Sequence, residues 1–232
     1  MKLAAHDWVA RSAVTPDVFE RWPGYQVMLL AADDIDAGAL AGVVDSLVEH
    51  ARTTVRALES ADPDPHVAQW HAAYRDFGVK PRVARVSVDA LIRRAGTDGG
   101  LPRINTLVDL YNAVSIIHRV PIGGEDLDSY VGPARLVLAT GEEAFHTTSN
   151  GEPVVDRPDP GEPVWVDDDG ITCRRWNWRQ TTRTAIHAHT RRVGFILDSL
   201  DAPDHHGARR AAEQLAELIP DIHTRIIRSA EP

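Results

Sequence analysis

The chain of 232 residues contains a single cysteine, Cys173. It therefore has no internal disulfide, and a lone thiol fits a reducing compartment. Lysine is nearly absent. Lys2 and Lys80 are the only two among 25 basic residues, so arginine is the default cation. Long apolar runs are missing too: the longest, "VMLLAA" at 27–32, is far too short to cross a bilayer. The N-terminal stretch meets Asp7 and Trp8 too early to form a signal-peptide core. Together these absences predict a cytoplasmic protein with no membrane partner. Positive charge is also in deficit. A formal charge of -9 and a pI near 5.6 argue against a general nucleic-acid binder, though not against a local basic patch. No phosphate-cradling glycine loop, no G-x-S-x-G elbow, no C-x-x-C and no H-E-x-x-H occurs, which removes the best-marked nucleotide, hydrolase and zinc classes.

What remains is an ordinary folding composition, 43% hydrophobic and 25% charged, long enough for a substantial core. "YQVMLLAAD" (25–33) reads as a buried strand. Residues 36–58 read as a helix, with Leu40, Val43, Val44, Leu47, His50 and Ala51 at three- and four-residue steps. "ADPDP" (61–65) is a break. A short helix over 66–78 carries Trp70, Tyr74 and Phe77 as a core stripe and stops at Gly78. Residues 87–96 form another helix, with Ser87 as N-cap and Gly96 past its end. The strongest helical pattern is 104–119, where Ile104, Leu107, Val108, Tyr111, Val114 and Ser115 share one face and Asp109 and Asn112 share another. Residues 120–132 read as a turn-rich loop, "ARLVLAT" and "EEAFHTT" as a hairpin around Gly141, and 152–169 as an acidic loop with a strand near "PVWVD". A C-terminal helix follows at 206–219. Strands and helices in no regular alternation predict an α+β fold. The chain reads as one domain over 1–232.

Three candidate chemistries compete. His187 and His189, at i and i+2 of a strand, point the same way and suit one metal ion. The third ligand would be His118, His146, His205, His206 or an acidic residue. Arg179, Arg183, Arg191 and Arg192 nearby disfavour a divalent cation, so the expectation is no metal and no cofactor. Cys173 has arginine neighbours that would lower a thiol pKa, but a buried structural thiol is the simpler reading. The third candidate is "RRWNWR" (174–179). Read as a strand, it sets Arg175, Asn177 and Arg179 on one face and Arg174, Trp176 and Trp178 on the other. Two guanidinium groups flanking an amide, beside stacking surfaces, suit a phosphorylated or carboxylated ligand. The competing account pairs these arginines with the acidic 152–169 segment and sends the tryptophans to the core.

"LVDLYNAVS", "PIGGEDLD", "GPARLVLATGEE" and "RRWNWR" together carry a resemblance. The ordered set, over roughly 65–195, resembles the B3/B4 domain of the bacterial phenylalanyl-tRNA synthetase beta subunit, and more closely the free-standing proteins related to it. Residues 20–60 and 206–219 then stand as flanking elements. The resemblance implies a three-layered α+β fold with a β-sandwich-like core. It also implies editing, the hydrolysis of mischarged aminoacyl-tRNA, with the aminoacylated 3' end of tRNA as partner and a monomer or homodimer as the working unit. By the same resemblance Asn112 corresponds to an asparagine lining the editing pocket, and Asp109 to the aspartate before it. Pro121 and Asp126 match the following loop, whose editing histidine is replaced here by Gly123. Glu152 corresponds to the glutamate that reads a substrate hydroxyl. "RRWNWRQ" stands where the family has a glycine-rich pocket wall, so the resemblance implies a remodelled pocket. The expected catalytic donors are Asn112 and Asn177. The expected substrate-binding residues are Arg174, Arg175, Trp176, Trp178, Arg179, Gly123 and Glu152. Two alternatives stay open: a non-catalytic tRNA- or RNA-binding module, and a small-molecule enzyme or binder of amino acids and their esters.

Overall fold

A computed structural model describes residues 1–58, 64–149, 151–200 and 206–229. The first part of the chain forms α1 (Ala5–Arg11), β1 (Ala13–Val14), α2 (Pro16–Arg21), β2 (Tyr25–Ala32) and α3 (Ala37–Arg56). Next come α4 (Pro65–Asp76), α5 (Ser87–Ala95), α6 (Thr106–His118), β3 (Ile122–Asp126) and β4 (Arg135–Leu138). Then follow β5 (Phe145–Ser149), β6 (Glu152–Asp156), β7 (Pro163–Asp167), β8 (Gly170–Arg174) and β9 (Arg179–Gln180). The last elements are β10 (Val193–Leu200), α7 (Gly207–Leu218) and β11 (His223–Arg228).

Every residue of β10 is buried, so apolar material covers both of its faces. It lies inside a four-stranded sheet ordered β11-β2-β10-β3. The two-residue period of a strand divides its side chains between two cores. Val193, Phe195 and Leu197 of β10, with Met28 and Leu30 of β2, meet α3, α6 and α7 on one side. Ile196 and Leu200, with Val27 and Leu29, meet α1, α4 and the five-stranded sheet β1-β4-β7-β8-β9 on the other. The layers are therefore helices, sheet and second sheet, an α+β arrangement with a sandwich-like centre.

Local chemistry sets the helix ends. Asp36 caps α3 by accepting from the Gly38 and Ala39 amides, and Asn105 caps α6 by accepting from Val108 N–H. The buried stripe of α3 is Leu40, Val44, Leu47, Val48 and Ala51, while Val43 and His50 are exposed. Val86, not Ser87, occupies the cap position of α5, and Ser87 Oγ is buried without a partner. Trp70 and Tyr74 of α4 are buried, as their stripe predicts.

Several segments differ from expectation. The loop expected at 120–132 contains β3, because its Ile122–Asp126 backbone completes the sheet against β10. The expected hairpin around Gly141 does not form: β4 pairs with β7, and β5 pairs with β6. Part of the expected acidic loop is β6. The run at 187–189 is not a strand; His187 Nε2 lies 3.1 Å from the buried Asp126 carboxylate, and the His189 amide donates to His187 Nδ1. Of the proposed break at 61–65, residues 61–63 lie outside the described residues, as does His205. Among the described residues no helix is long and apolar enough to cross a membrane, and no three His, Cys, Asp or Glu side chains are grouped to hold a metal ion.

Candidate functional site

β3 is the outer strand of its sheet, so its free flank is open to other elements. Opposite Glu125 in β3 stands Gly194 of β10, and opposite Gly123 stands Ile196. Strand alternation then puts Glu125, Gly123, Ile196 and Asp198 on one face. These four residues form part of the lining of a cavity of about 390 Å³, closed by α5, α6 and the segment 173–180. Gly123 leaves its centre open: a Cβ there would meet nothing within 4 Å. The neighbouring Gly124 faces the other way, where a Cβ would lie 2.7 Å from the Tyr111 ring and from Ile186.

The 173–180 wall is a turn, not the continuous strand expected of "RRWNWR". β8 ends at Arg174, and Arg175 and Trp176 take positive φ angles of 50° and 66°. Two successive non-glycine residues in that region cost about 1–3 kcal/mol each. Surrounding bonds hold them there. Buried Glu162 accepts from Arg174 Nε at 2.8 Å, Arg174 Nη2 at 2.9 Å and the Arg175 amide at 3.2 Å. The Trp176 amide donates to the Pro163 carbonyl at 2.7 Å. Its indole is fully buried among Trp22, Tyr25 and Trp70.

This turn sorts the expected site residues. Asn112, Gly123, Trp176, Asn177, Trp178 and Arg179 line the cavity together. Arg174, Arg175 and Glu152 are not among its lining residues. Arg174 points inward to Glu162 and Asp156 and is 2% exposed. Arg175 stacks over Trp178 at 4.4 Å and reaches Glu162 at 3.4 Å. Glu152 is exposed on the β5–β6 ribbon. The first two arginines of the run pair with the acidic segment and Trp176 packs in the core, while the residues from Trp176 to Arg179 lie along the cavity.

The polar groups differ in how far they are engaged. Asn177 is committed: its Nδ2 donates to Asp198 at 3.3 Å, and its Oδ1 lies 3.0 Å from the Tyr74 hydroxyl. Asn112 is half-buried, and its amide has no hydrogen-bond partner among the described residues. Arg179 stacks on Trp178 at 4.5 Å. Among the described residues neither it nor Arg94, exposed at the end of α5, meets a carboxylate. The mouth is thus cationic, with Arg94, Pro102, Ile104 and Arg179 exposed around it. The interior is acidic. Burial pushes Glu125 up to about 8, against the hydrogen bond from Gln180 Nε2 at 2.6 Å, which lowers it. Burial likewise pushes Asp198 up to about 7, against hydrogen bonds from Tyr25 and Asn177. The Cys173 thiol is raised as well, first by burial and then by Glu125 and Asp198. That shift disfavours the thiolate form on which cysteine nucleophilicity depends.

Glu125, Asp198 and Arg94 escaped the sequence reading. Asp198 left one usable signal: an acidic residue inside "GFILDSL", a run otherwise apolar enough for a strand covered on both faces, must carry a specific environment. Glu125 and Arg94 left none, because "GGEDLD" and "LIRR" look like an ordinary turn and an ordinary helix end.

The sequence pattern of the B3/4 domain matches residues 69–223. No curated protein sequence matches the chain. Among solved structures, an N-terminal fragment of the phenylalanyl-tRNA synthetase beta-subunit from Pyrococcus horikoshii aligns with 93% of this chain at 10% identity and a TM-score of 0.45. The alignment covers 49% of that fragment, so this chain spans about half its length.

Proposed function

The chain belongs to the B3/4 domain family, and from that premise we propose that it hydrolyses mischarged aminoacyl-tRNA in trans. The observation that supports this most is the cavity, which gathers Asn112, Gly123, Asn177 and Arg179 from three separate parts of the chain. The aminoacyl group enters from the cationic mouth. Arg94 and Arg179 meet the phosphates of the tRNA 3' end, and the ester stops beside Asn112. A guanidinium binds phosphate through two parallel hydrogen bonds, and among the described residues no carboxylate pairs with these two. Gly123 leaves room over the floor for the acyl group.

An aminoacyl ester is already activated, so positioning and carbonyl polarisation provide most of what hydrolysis needs. Water adds to the carbonyl carbon. The Asn112 amide donates to the developing oxyanion, and the C–O bond to the ribose then breaks. The ribose oxygen takes a proton, leaving free amino acid and deacylated tRNA. Asn177 acts differently. Its amide is bound to Asp198 and Tyr74, so it is a positioning residue holding the inner end of the cavity.

The test is a deacylation assay over a panel of mischarged tRNAs. Asn112→Ala is expected to lower kcat by roughly 10²–10³-fold, the usual effect of one lost oxyanion donor. Arg179→Ala is expected to raise KM and weaken the salt dependence of tRNA binding. If no member of the panel is turned over, the proposal fails. The net charge of -9 favours a second reading, an esterase or binder for small amino-acid esters. Free aminoacyl esters hydrolysed as fast as aminoacyl-tRNA would select it.

A further inference from the structure

Four buried acids meet arginine: Glu162 is bound by Arg174, Asp167 by Arg183, Asp109 by Arg103 and Asp89 by Arg93. Buried Asp126 meets His187 and Thr190, and Glu125 meets Gln180. Asp198 has only neutral partners among the described residues. It is 2% exposed, and its hydrogen-bond partners are the neutral Tyr25 hydroxyl at 2.7 Å and the neutral Asn177 amide at 3.3 Å. Tyr25 comes from β2, Asn177 from the 173–180 turn and Trp165 from β7, and no cation is among the groups acting on the carboxyl. Cys173 and Tyr74 also feel its charge, and neither is cationic. Yet Asp198 does not sit in closed core. It lines the cavity beside the buried Trp165 and Trp176. A carboxyl among aromatic faces, opening on empty space, is the arrangement that recognises an organic cation.

Depth decides which part of a ligand arrives there. The exposed lining residues Arg94, Ile104 and Arg179 mark the mouth, whereas Asp198, Trp165 and Trp176 are all buried. An aminoacyl group tethered to a polynucleotide keeps its ester near the mouth and sends its side chain inward. We infer that the inner end of the cavity receives a side-chain ammonium, paired with Asp198 against Trp165 and Trp176, so that the acyl groups taken are those of amine-bearing amino acids. The identity of the ester as substrate rests on the function proposed above; the ammonium site does not. An incoming ammonium also supplies the countercharge whose absence leaves this buried carboxyl easy to protonate.

Titration calorimetry of the full chain at pH 8 tests this with lysinamide and norleucinamide, which differ in the side-chain ammonium. Lysinamide is expected to bind at least tenfold more tightly. Asp198→Asn keeps the size of the side chain and is expected to erase that difference. Equal or tighter binding of norleucinamide overturns the inference. So does tighter binding of tyrosinamide, which would make the site a reader of hydroxyl groups, and so does an absence of lysinamide binding up to millimolar concentration. All three outcomes are read on the unaltered protein and do not depend on the variant folding. A lysinamide preference without turnover of any aminoacyl-tRNA would leave this inference standing and remove the editing function. Turnover confined to acyl groups without a side-chain amine would do the reverse.

Discussion

At the scale of the residue, the arginine-rich run shows how one neighbour changes the meaning of a side chain. Arg174 and Arg179 are five apart and chemically identical, yet one is 2% exposed against Glu162 and the other is exposed at a cavity mouth. Glu162 makes the difference, because it draws Arg174 and the Arg175 amide to itself and bends the chain after β8. Among the described residues, Glu162→Ala would leave the buried guanidinium with the exposed Asp156 as its one ion-pair partner. Removing one member of a buried pair costs about 3–5 kcal/mol. We expect a loss of that order in urea unfolding of the Glu162→Ala variant. A loss below about 1 kcal/mol would mean that solvent already screens the pair.

Legibility declines at the scale of the element. α3, α4 and α6 were readable because each carries a helical period, and β2 because its continuous apolar run suits a strand covered on both faces. β3 and the turn at 175–178 were not. "IGGED" becomes a strand only because β10 offers it an edge, and "RRWNWR" becomes a turn only because Glu162 and the Trp22–Tyr25–Trp70 cluster capture its side chains. Those forces act between residues far apart in sequence. The site was legible to the same degree: Asn112, Gly123, Asn177 and Arg179 from motif and family resemblance, but not the acids beneath them. The two glycines of β3 allow an element-level test. Gly124→Ala presses a methyl group against Tyr111 and Ile186 and is expected to cost about 1–3 kcal/mol. Gly123→Ala enters open space and is expected to be neutral, or to stabilise by up to about 1 kcal/mol through lower strand entropy. Gly123→Val should keep that stability while occupying the cavity, so ligand binding should fall where thermal unfolding does not. Matching losses in both measurements would show that Gly123 is structural.

For the whole molecule, the acidic interior of the cavity carries a stability cost that depends on pH. Glu125 and Asp198 have ordinary values of 4.5 and 3.8 and are raised in the folded state to about 8 and about 7, chiefly by burial. The folded protein therefore holds protons on these groups that the unfolded chain releases above about pH 4. Their contribution to stability is full below that point. It declines as pH rises and is gone once pH passes through about 7 for Asp198 and about 8 for Glu125. Within the window each group contributes a slope of at most about 1.4 kcal/mol per pH unit. The double variant Glu125→Gln and Asp198→Asn lacks both titrations and should lose less stability between pH 5 and pH 8 than the parent chain does. Unfolding both proteins in urea across that range isolates the effect, since every other titrating group is common to the two. A constant difference between the curves would mean that the cavity holds its carboxyls already ionised at pH 5. An amine ligand should then flatten the parent curve further, because a bound ammonium favours the same ionised Asp198 that high pH otherwise forces on an empty cavity.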